Sequence, residues 1–336
     1  MMTPLNIWCL LPLAVVLLSI SPTETKVVDE MSECEGFLLN ETPPQVTGIL
    51  ENGKIKNQDQ NKEQGRYQII CQTFDNKERF VTLYDTTNKI PVFSAYKYRG
   101  EDKKVQRNDV WMIEPQLEDR NGSEYMTESI EDVYQHQASN NDYKDQEVYD
   151  RGHLFPWSYG FDESDKKSTC TLTNVVPQVK SFNQGSWSRM EQEVKKTMDD
   201  LCYNNNDKLE GYVVTGAQPS QGNKLKNRVN VPSMLWTALC CYSNKKKKWI
   251  AEAYLRDNVA DKAKDERIDV KTLQELYDKL EPKLVVFPGS DCPLNEKVSD
   301  VCISRPEQPK SWFRQVLSFP SRAVTWLYCT VRGWVG

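Results

Sequence analysis

The chain has 336 residues, with 43 Lys and Arg set against 48 Asp and Glu, a formal charge of -5 with both histidines neutral. That acidic balance excludes a protein that coats nucleic acid through bulk electrostatics, but not an enzyme with one local basic cleft, which benefits from releasing its product. The length fits one large domain or two small ones, with ample chain for a core.

Met1 to Asn6 carries no acidic residue and leads into an apolar run from Ile7 to Ile20, followed by the polar Ser21-Pro22-Thr23. The run is shorter than the roughly 20 residues of a membrane-spanning helix, so residues 1–22 read as a signal peptide. Of ten cysteines, Cys9 lies in this leader, and nine remain: Cys34, Cys71, Cys170, Cys202, Cys240, Cys241, Cys292, Cys302 and Cys329. In an oxidising compartment most should pair, with one left free or intermolecular. Adjacent residues of a strand point to opposite faces, so Cys240 and Cys241 should serve two different bridges. The sequons Asn40-Glu41-Thr42 and Asn121-Gly122-Ser123 agree with a secretory route and a glycosylated product.

Residues 23–64 are polar and contain Pro43-Pro44, which predicts an irregular arm pinned by Cys34. The folded domain is expected over 65–303. Tyr67-Gln68-Ile69-Ile70-Cys71, Phe80-Val81-Thr82-Leu83-Tyr84 and Pro91-Val92-Phe93-Ser94-Ala95-Tyr96 are β-rich runs, the last two joined through Asp85-Thr86-Thr87-Asn88. Gly100 to Asp145 is charged and loop-like and holds Arg107, Trp111 and the surface histidine His136. Tyr149 to Leu154 predicts a strand, Thr171 to Val176 an extended segment ending at Pro177, and Gly185 to Tyr203 a helix whose Trp187, Met190, Val194, Met198, Leu201 and Cys202 recur at spacings of three and four. Further strands are expected over Gly211–Gly216, Met234–Leu239 and Trp249–Leu255, the last pair joined by a solvated turn at Lys245 to Lys248, and a helix over Val270–Leu280. Residues 304–336 form a linker and a basic amphipathic tail. Arg314, Arg322 and Arg332 interrupt every candidate span, so the tail either docks on its own domain or makes peripheral contact with a membrane surface.

Chemistry concentrates between Tyr149 and Glu191. The chain there reads Asp150-Arg151-Gly152-His153, then Asn174-Val175-Val176-Pro177-Gln178, then Asn183-Gln184-Gly185-Ser186-Trp187-Ser188-Arg189-Met190-Glu191. Strand alternation projects Arg151 and His153 together and Asp150 and Gly152 oppositely, putting a cation and a base on one face; Gly152 would let a backbone or phosphate approach. Cutting a phosphodiester needs a base for water, for which His153 suits at neutral pH. It needs a hard oxygen ligand for Mg²⁺, which Asn183 offers. It also needs a cation on the non-bridging oxygens, for which Arg107 or Arg151 is available. Eight residues of helix cover about 12 Å, so Asn183 and Glu191 should not both bind one ion directly; Glu191 is expected to act through a water.

Taken together, the three blocks resemble the DNA/RNA non-specific endonuclease family, whose hallmark is Asp-Arg-Gly-His. The resemblance implies an α+β, ββα-metal (His-Me finger) nuclease with a central, mainly antiparallel sheet flanked by helices and stabilised by disulfides. It implies nucleic acid, DNA or RNA, as substrate and Mg²⁺, with Mn²⁺ as an alternative, as cofactor. It assigns functional roles to His153, Asn183, Glu191 and, through a basic residue shortly before a tryptophan, Arg107; Asn174 matches a second asparagine that helps orient the site. A nuclease-fold binding protein without turnover is the alternative, against which stand the filled positions. With two histidines, no Cys-x-x-Cys and no Gly-x-Ser-x-Gly, a zinc or serine hydrolase is disfavoured. Oligomeric state is not legible.

Overall fold

The computed structural model describes residues 26–56, 65–102, 105–107, 110–130 and 133–298. The leader (1–22) and the tail (304–336), with the roles expected of them, lie outside the described residues, as do Cys302 and Cys329.

Seven strands make the central sheet: β1 Lys26–Val28, β2 Tyr67–Phe74, β3 Lys77–Asp85, β4 Ile90–Tyr98, then, later in the chain, Gly211–Gln218, Met234–Ser243 and Lys248–Asp257. Between β4 and Gly211 the chain leaves the sheet to build α1 Asn140–Tyr143, β5 Tyr149–His153, α2 Glu163–Ser168, β6 Val175–Val179 and α3 Ser188–Leu201. It then returns as β7 Gly211–Gln218, β8 Met234–Ser243 and β9 Lys248–Asp257, giving the order β1-β2-β3-β4-β7-β8-β9. Every neighbouring pair is antiparallel, as expected for a mainly antiparallel α+β core.

Both faces of the sheet are covered, which explains why β4 carries apolar groups on each side. One face, through Tyr96, Tyr98, Val213, Leu239 and Tyr254, packs against Phe155, Phe182, Trp187 and the Met190, Val194, Met198, Leu201 stripe of α3. The other, through Phe93, Ala95, Val214, Ala238 and Ala253, packs against Met31, Leu50, Leu273 and Leu276. Cys240 and Cys241 fall on opposite faces and bond to Cys292 and Cys202 respectively. The third bridge, Cys34–Cys71, ties the N-terminal segment to β2.

Three expectations need correction. The N-terminal segment has regular structure: Lys26–Val28 extends the main sheet, and Gln45–Val46, Leu50–Glu51 and Lys54–Ile55 form a small sheet with Leu284–Val285. Long-range pairing supplies the order that local composition lacks. The helix expected over Val270–Leu280 is only Leu273–Tyr277, started by a capping box in which Thr272 Oγ1 accepts from Glu275 N and Glu275 accepts from Thr272 N. Finally, β6 runs through Pro177 rather than ending there. Its ribbon with β5 has only two strands, so the missing amide hydrogen can lie on an unpaired edge.

Candidate active site

The site is built on the β5–β6 ribbon and the start of α3. In β5, His153 pairs with Val175 and Arg151 with Pro177, and alternation sends both side chains toward Trp111. The Arg151 guanidinium lies 4.8 Å from the Trp111 ring and 5.2 Å from that of Tyr143, and its Nη2 donates to the backbone oxygen and Oδ1 of Asn140 at 3.2 and 3.1 Å. The Trp111 ring sits 5.5 Å from the His153 imidazole, tilted by 48°. His153 Nε2 faces the sulfur of Cys170 at 3.8 Å. The sequence identifies the shared face of Arg151 and His153, but not the indole and thiol that bracket the base.

Beyond His153 the chain turns back sharply, and Asn174 braces that turn. Its Oδ1 accepts from Phe155 N at 3.0 Å and from Ser94 Oγ at 2.9 Å, while its Nδ2 donates to the oxygens of Phe155 and Thr169. Its own carbonyl accepts from Leu154 N. Asn174 is completely buried, so it touches the turn and not a substrate. A buried file of polar side chains continues from it across the sheet: Ser94 to Thr82, Thr82 to Gln72, Gln72 to Thr173, Thr173 to Thr171, and Thr171 to the carboxyl of Glu114. The network fixes the floor beneath the ribbon, although Gln72 Oε1 finds no partner among the described residues. Burial pushes the Glu114 carboxyl up to about 8, opposed by its bond from Thr171.

Asn183 opens a π-helical turn, Asn183–Trp187, that runs into α3. Gly185 is needed inside it because a Cβ there would overlap Asp261 Oδ2, which accepts from Ser186 N at 2.7 Å. Trp187, the next motif residue, is 1% exposed and packs edge-on to Phe182. The glycine and tryptophan of Asn-x-Gly-x-Trp are thus anchors for the helix start. Asn183 itself is half-buried, and its Nδ2 donates to Asp150 Oδ2 at 3.0 Å, as does Gln184 Nε2 at 2.8 Å. A carboxylate only accepts, so this bond fixes the amide orientation and leaves Asn183 Oδ1 as the outward acceptor. Asp150, on the strand face opposite to His153, is the partner of Asn183 that sequence reasoning missed; only its alternation with Arg151 hinted at it.

Glu191, on α3, is half-buried. Burial pushes its carboxyl up to about 8, with the Trp187 indole working in the opposite direction, and Tyr159 donates to its backbone oxygen at 2.7 Å. It makes no ion pair among the described residues, so a nearby cation would favour its charged form. Arg107 is exposed, with its guanidinium 5.7 Å from the Trp157 ring. Gly152 does not give access to a substrate: a Cβ there would overlap Gln178 Oε1, a protein side chain.

Among the described residues no group of three His, Cys, Asp or Glu could cage a metal. The residues present instead fit a hard ion that keeps most of its water: one preset amide oxygen at Asn183 and one uncompensated carboxyl at Glu191.

A two-stranded ribbon carrying a histidine, followed by a helical segment that carries an asparagine after its first turn, is the ββα-metal arrangement, and the fold is that of a ββα-metal nuclease. The chain belongs to the DNA/RNA non-specific endonuclease family, which it matches over residues 57–285. It is 32% identical to the endonuclease domain-containing 1 protein of Homo sapiens over 217 residues, 62% of this chain and 39% of that one. To the protein of the same name from Mus musculus it is 30% identical, covering 62% and 38%. A nuclease from Nostoc sp. is 30% identical over 89 residues, 26% of this chain and 30% of that one. The chain therefore spans about two fifths of the length of its animal relatives. A chain in the crystal structure of the EndoG/EndoGI complex is 21% identical with a TM-score of 0.46, covering 63% of this chain and 84% of that one.

Proposed function

We propose that the chain is a secreted, Mg²⁺-dependent endonuclease that hydrolyses phosphodiester bonds of DNA, RNA or both without strong sequence preference. Family membership supports a nuclease function and a nucleic-acid substrate. The observation that carries the reading is the link between Asp150 and Asn183, which ties a preset ligand oxygen to the strand that holds His153. Asp150 and His153 lie three residues apart on that strand, about 10 Å along it.

His153 takes the proton from the attacking water, held in orientation by the groups around its ring. Asn183 Oδ1 is the inner ligand for Mg²⁺, or for Mn²⁺, and Glu191 faces the outer shell. When bound, the ion supplies positive charge against the charge that develops on the phosphate. Arg107, exposed beside Trp157, is the cation assigned to the non-bridging oxygens. Arg151 is committed to Asn140 and two aromatic rings and supports Trp111 behind the base. Asn174 positions the turn that follows His153.

Secretion is supported by the leader sequence, by three disulfides, and by exposure of both sequon residues, Asn40 and Asn121. No helix among the described residues is long and apolar enough to cross a membrane. The test is incubation of the secreted protein with plasmid and with RNA, in Mg²⁺ and in EDTA. Cleavage in Mg²⁺ that stops in EDTA is expected; tight binding without cleavage would favour a binding protein on a nuclease fold.

A further inference from the structure

We propose that Asp261, on the loop that follows β9, is a positioning residue for the metal: it holds the Asn183–Trp187 turn in its π-helical form and so sets where Asn183 Oδ1 stands against the ribbon. The inference rests on the reading of Asn183 as the inner ligand. It adds a second tether, acting on the backbone of the turn where Asp150 acts on the side-chain amide.

Inside the turn Gly185 leaves helical geometry, with φ −103° and ψ −111°. That ψ rotates the peptide plane that follows, and the Ser186 N–H is aimed at a side chain outside the helix. Ser186 is completely buried, so its N–H needs an acceptor within the protein. Asp261 Oδ2 accepts it at 2.7 Å, and Asp261 Oδ1 accepts from Ser186 Oγ at 2.6 Å. A carboxylate only accepts and a backbone N–H only donates, so the direction of the first bond is fixed. With the acceptor gone, the buried donor would favour return of the turn to a regular helix. A π turn holds one residue more than an α turn, so that return would swing Asn183 by roughly 100° about the axis relative to Glu191.

Asp261 is itself held in place. Arg189 Nη2 reaches its Oδ2 at 3.3 Å and Arg256 Nη2 its Oδ1 at 3.5 Å. Arg256 Nη1 also donates to Ser186 Oγ at 3.0 Å, and its guanidinium lies 5.5 Å from the Phe182 ring. Glu266 completes the group, its carboxylate 2.6 Å from Arg256 and its backbone oxygen accepting from Arg189 at 2.7 Å. Within this group two arginines balance two carboxylates, so Asp261 contributes bonds to the turn rather than net charge. Three residues earlier the same loop grips the ribbon. Asn258 Nδ2 donates to Pro177 O at 2.9 Å, and its Oδ1 accepts from Val179 N at 2.9 Å, both on β6. Since β6 pairs with the strand that carries His153, residues 258–261 join the histidine's ribbon to the turn that carries Asn183.

The probe is Mn²⁺, whose free-ion EPR signal reports its affinity for the intact protein without any cleavage. Asp261→Ala is expected to weaken Mn²⁺ binding roughly tenfold, the low end of the 10–100-fold range for groups that orient a ligand, with much of kcat recovered at saturating Mg²⁺. Asp261→Asn, which keeps an acceptor for Ser186 N, should recover part of that loss. Ser186→Ala, which leaves every charge in place, should shift the affinity in the same direction by less. A merely structural carboxylate would move the melting temperature alone. Asp85 supplies that comparison, being buried and accepting from Arg66, Thr87 and Asn88; Asp85→Ala should lower the melting temperature and leave Mn²⁺ affinity unchanged. Unchanged affinity in folded Asp261→Ala, or in both Asp261→Asn and Ser186→Ala should that variant not fold, overturns the proposal. So does a loss as large in Asp261→Asn as in Asp261→Ala, which would mark charge and not the bond, or an equal loss in Asp85→Ala. Asn183→Ala separates the inference from the reading beneath it: if that variant binds Mn²⁺ as the unaltered protein does, the ligand assignment falls and this inference with it.

Discussion

Replacing Asp150 with alanine isolates the contact that presets the metal ligand. Asp150 Oδ2 accepts from Asn183 Nδ2 at 3.0 Å and from Gln184 Nε2 at 2.8 Å. A hydrogen bond to a charged group is worth about 1.5–3 kcal/mol, and Asp150 is half-buried, so the low end applies. At about 1.4 kcal/mol per factor of ten, freeing the Asn183 amide should weaken Mg²⁺ binding roughly tenfold, within the 10–100-fold range for residues that orient a ligand. The expected signature is a plasmid-cleavage activation curve displaced to higher Mg²⁺, with much of the rate recovered at saturation and a fall in melting temperature of only about a few degrees. Asp150→Asn retains an acceptor and should fall between the two. A Mg²⁺ half-saturation in Asp150→Ala equal to that of the unaltered protein would refute the claim that this carboxylate presets Asn183.

Asn183→Ala should lose most of the activity and most of the metal affinity, whereas Glu191→Ala should keep measurable activity that rises with added Mg²⁺; a Glu191 variant that loses the metal more completely would reverse the two roles. Reductant should lower the melting temperature, because three bridges at roughly 2–4 kcal/mol each constrain the unfolded chain; an unchanged melting point would contradict this. Burial lifts Glu114 to about 8 and Glu252 to about 7 from an ordinary value of 4.5. In that interval the folded chain holds protons that the unfolded chain has released, so stability should fall as pH rises from about 4.5 to about 8. Glu114→Gln, which keeps the polar contact with Thr171, should flatten the slope in denaturant titrations across this range, and an unaltered slope would refute the assignment.

The parts of this molecule that were legible in sequence are those in which function is written contiguously or by a short period. Asp150 to His153, Asn183 to Glu191, the α3 stripe, and the divergence of Cys240 and Cys241 all follow from local spacing. What was not legible depends on contacts between distant segments. Nothing in the composition of residues 23–64 marks Lys26–Val28 as a partner for β2. Gln72 meets Thr173 across 101 positions, and Cys170 meets His153 only because α2 folds back between them. Pro177 marked a strand end by local rule, yet the two-stranded ribbon tolerates it. The Asp150–Asn183 bond was hidden for the same reason: alternation gave the direction of the carboxylate but not the helix that meets it.

The central claim is that His153 is the base of a phosphodiester hydrolase. Cleavage of plasmid and RNA in saturating Mg²⁺ by His153→Ala, with its melting temperature and secretion checked against the unaltered protein, tests this most directly. His136 makes a 3.7 Å contact with Glu118 through Nδ1 and lies outside the β5–β6 ribbon, so it offers no substitute. The account predicts a folded, secreted protein that no longer cuts either substrate; a folded variant that retains most of its cleavage rate would contradict it.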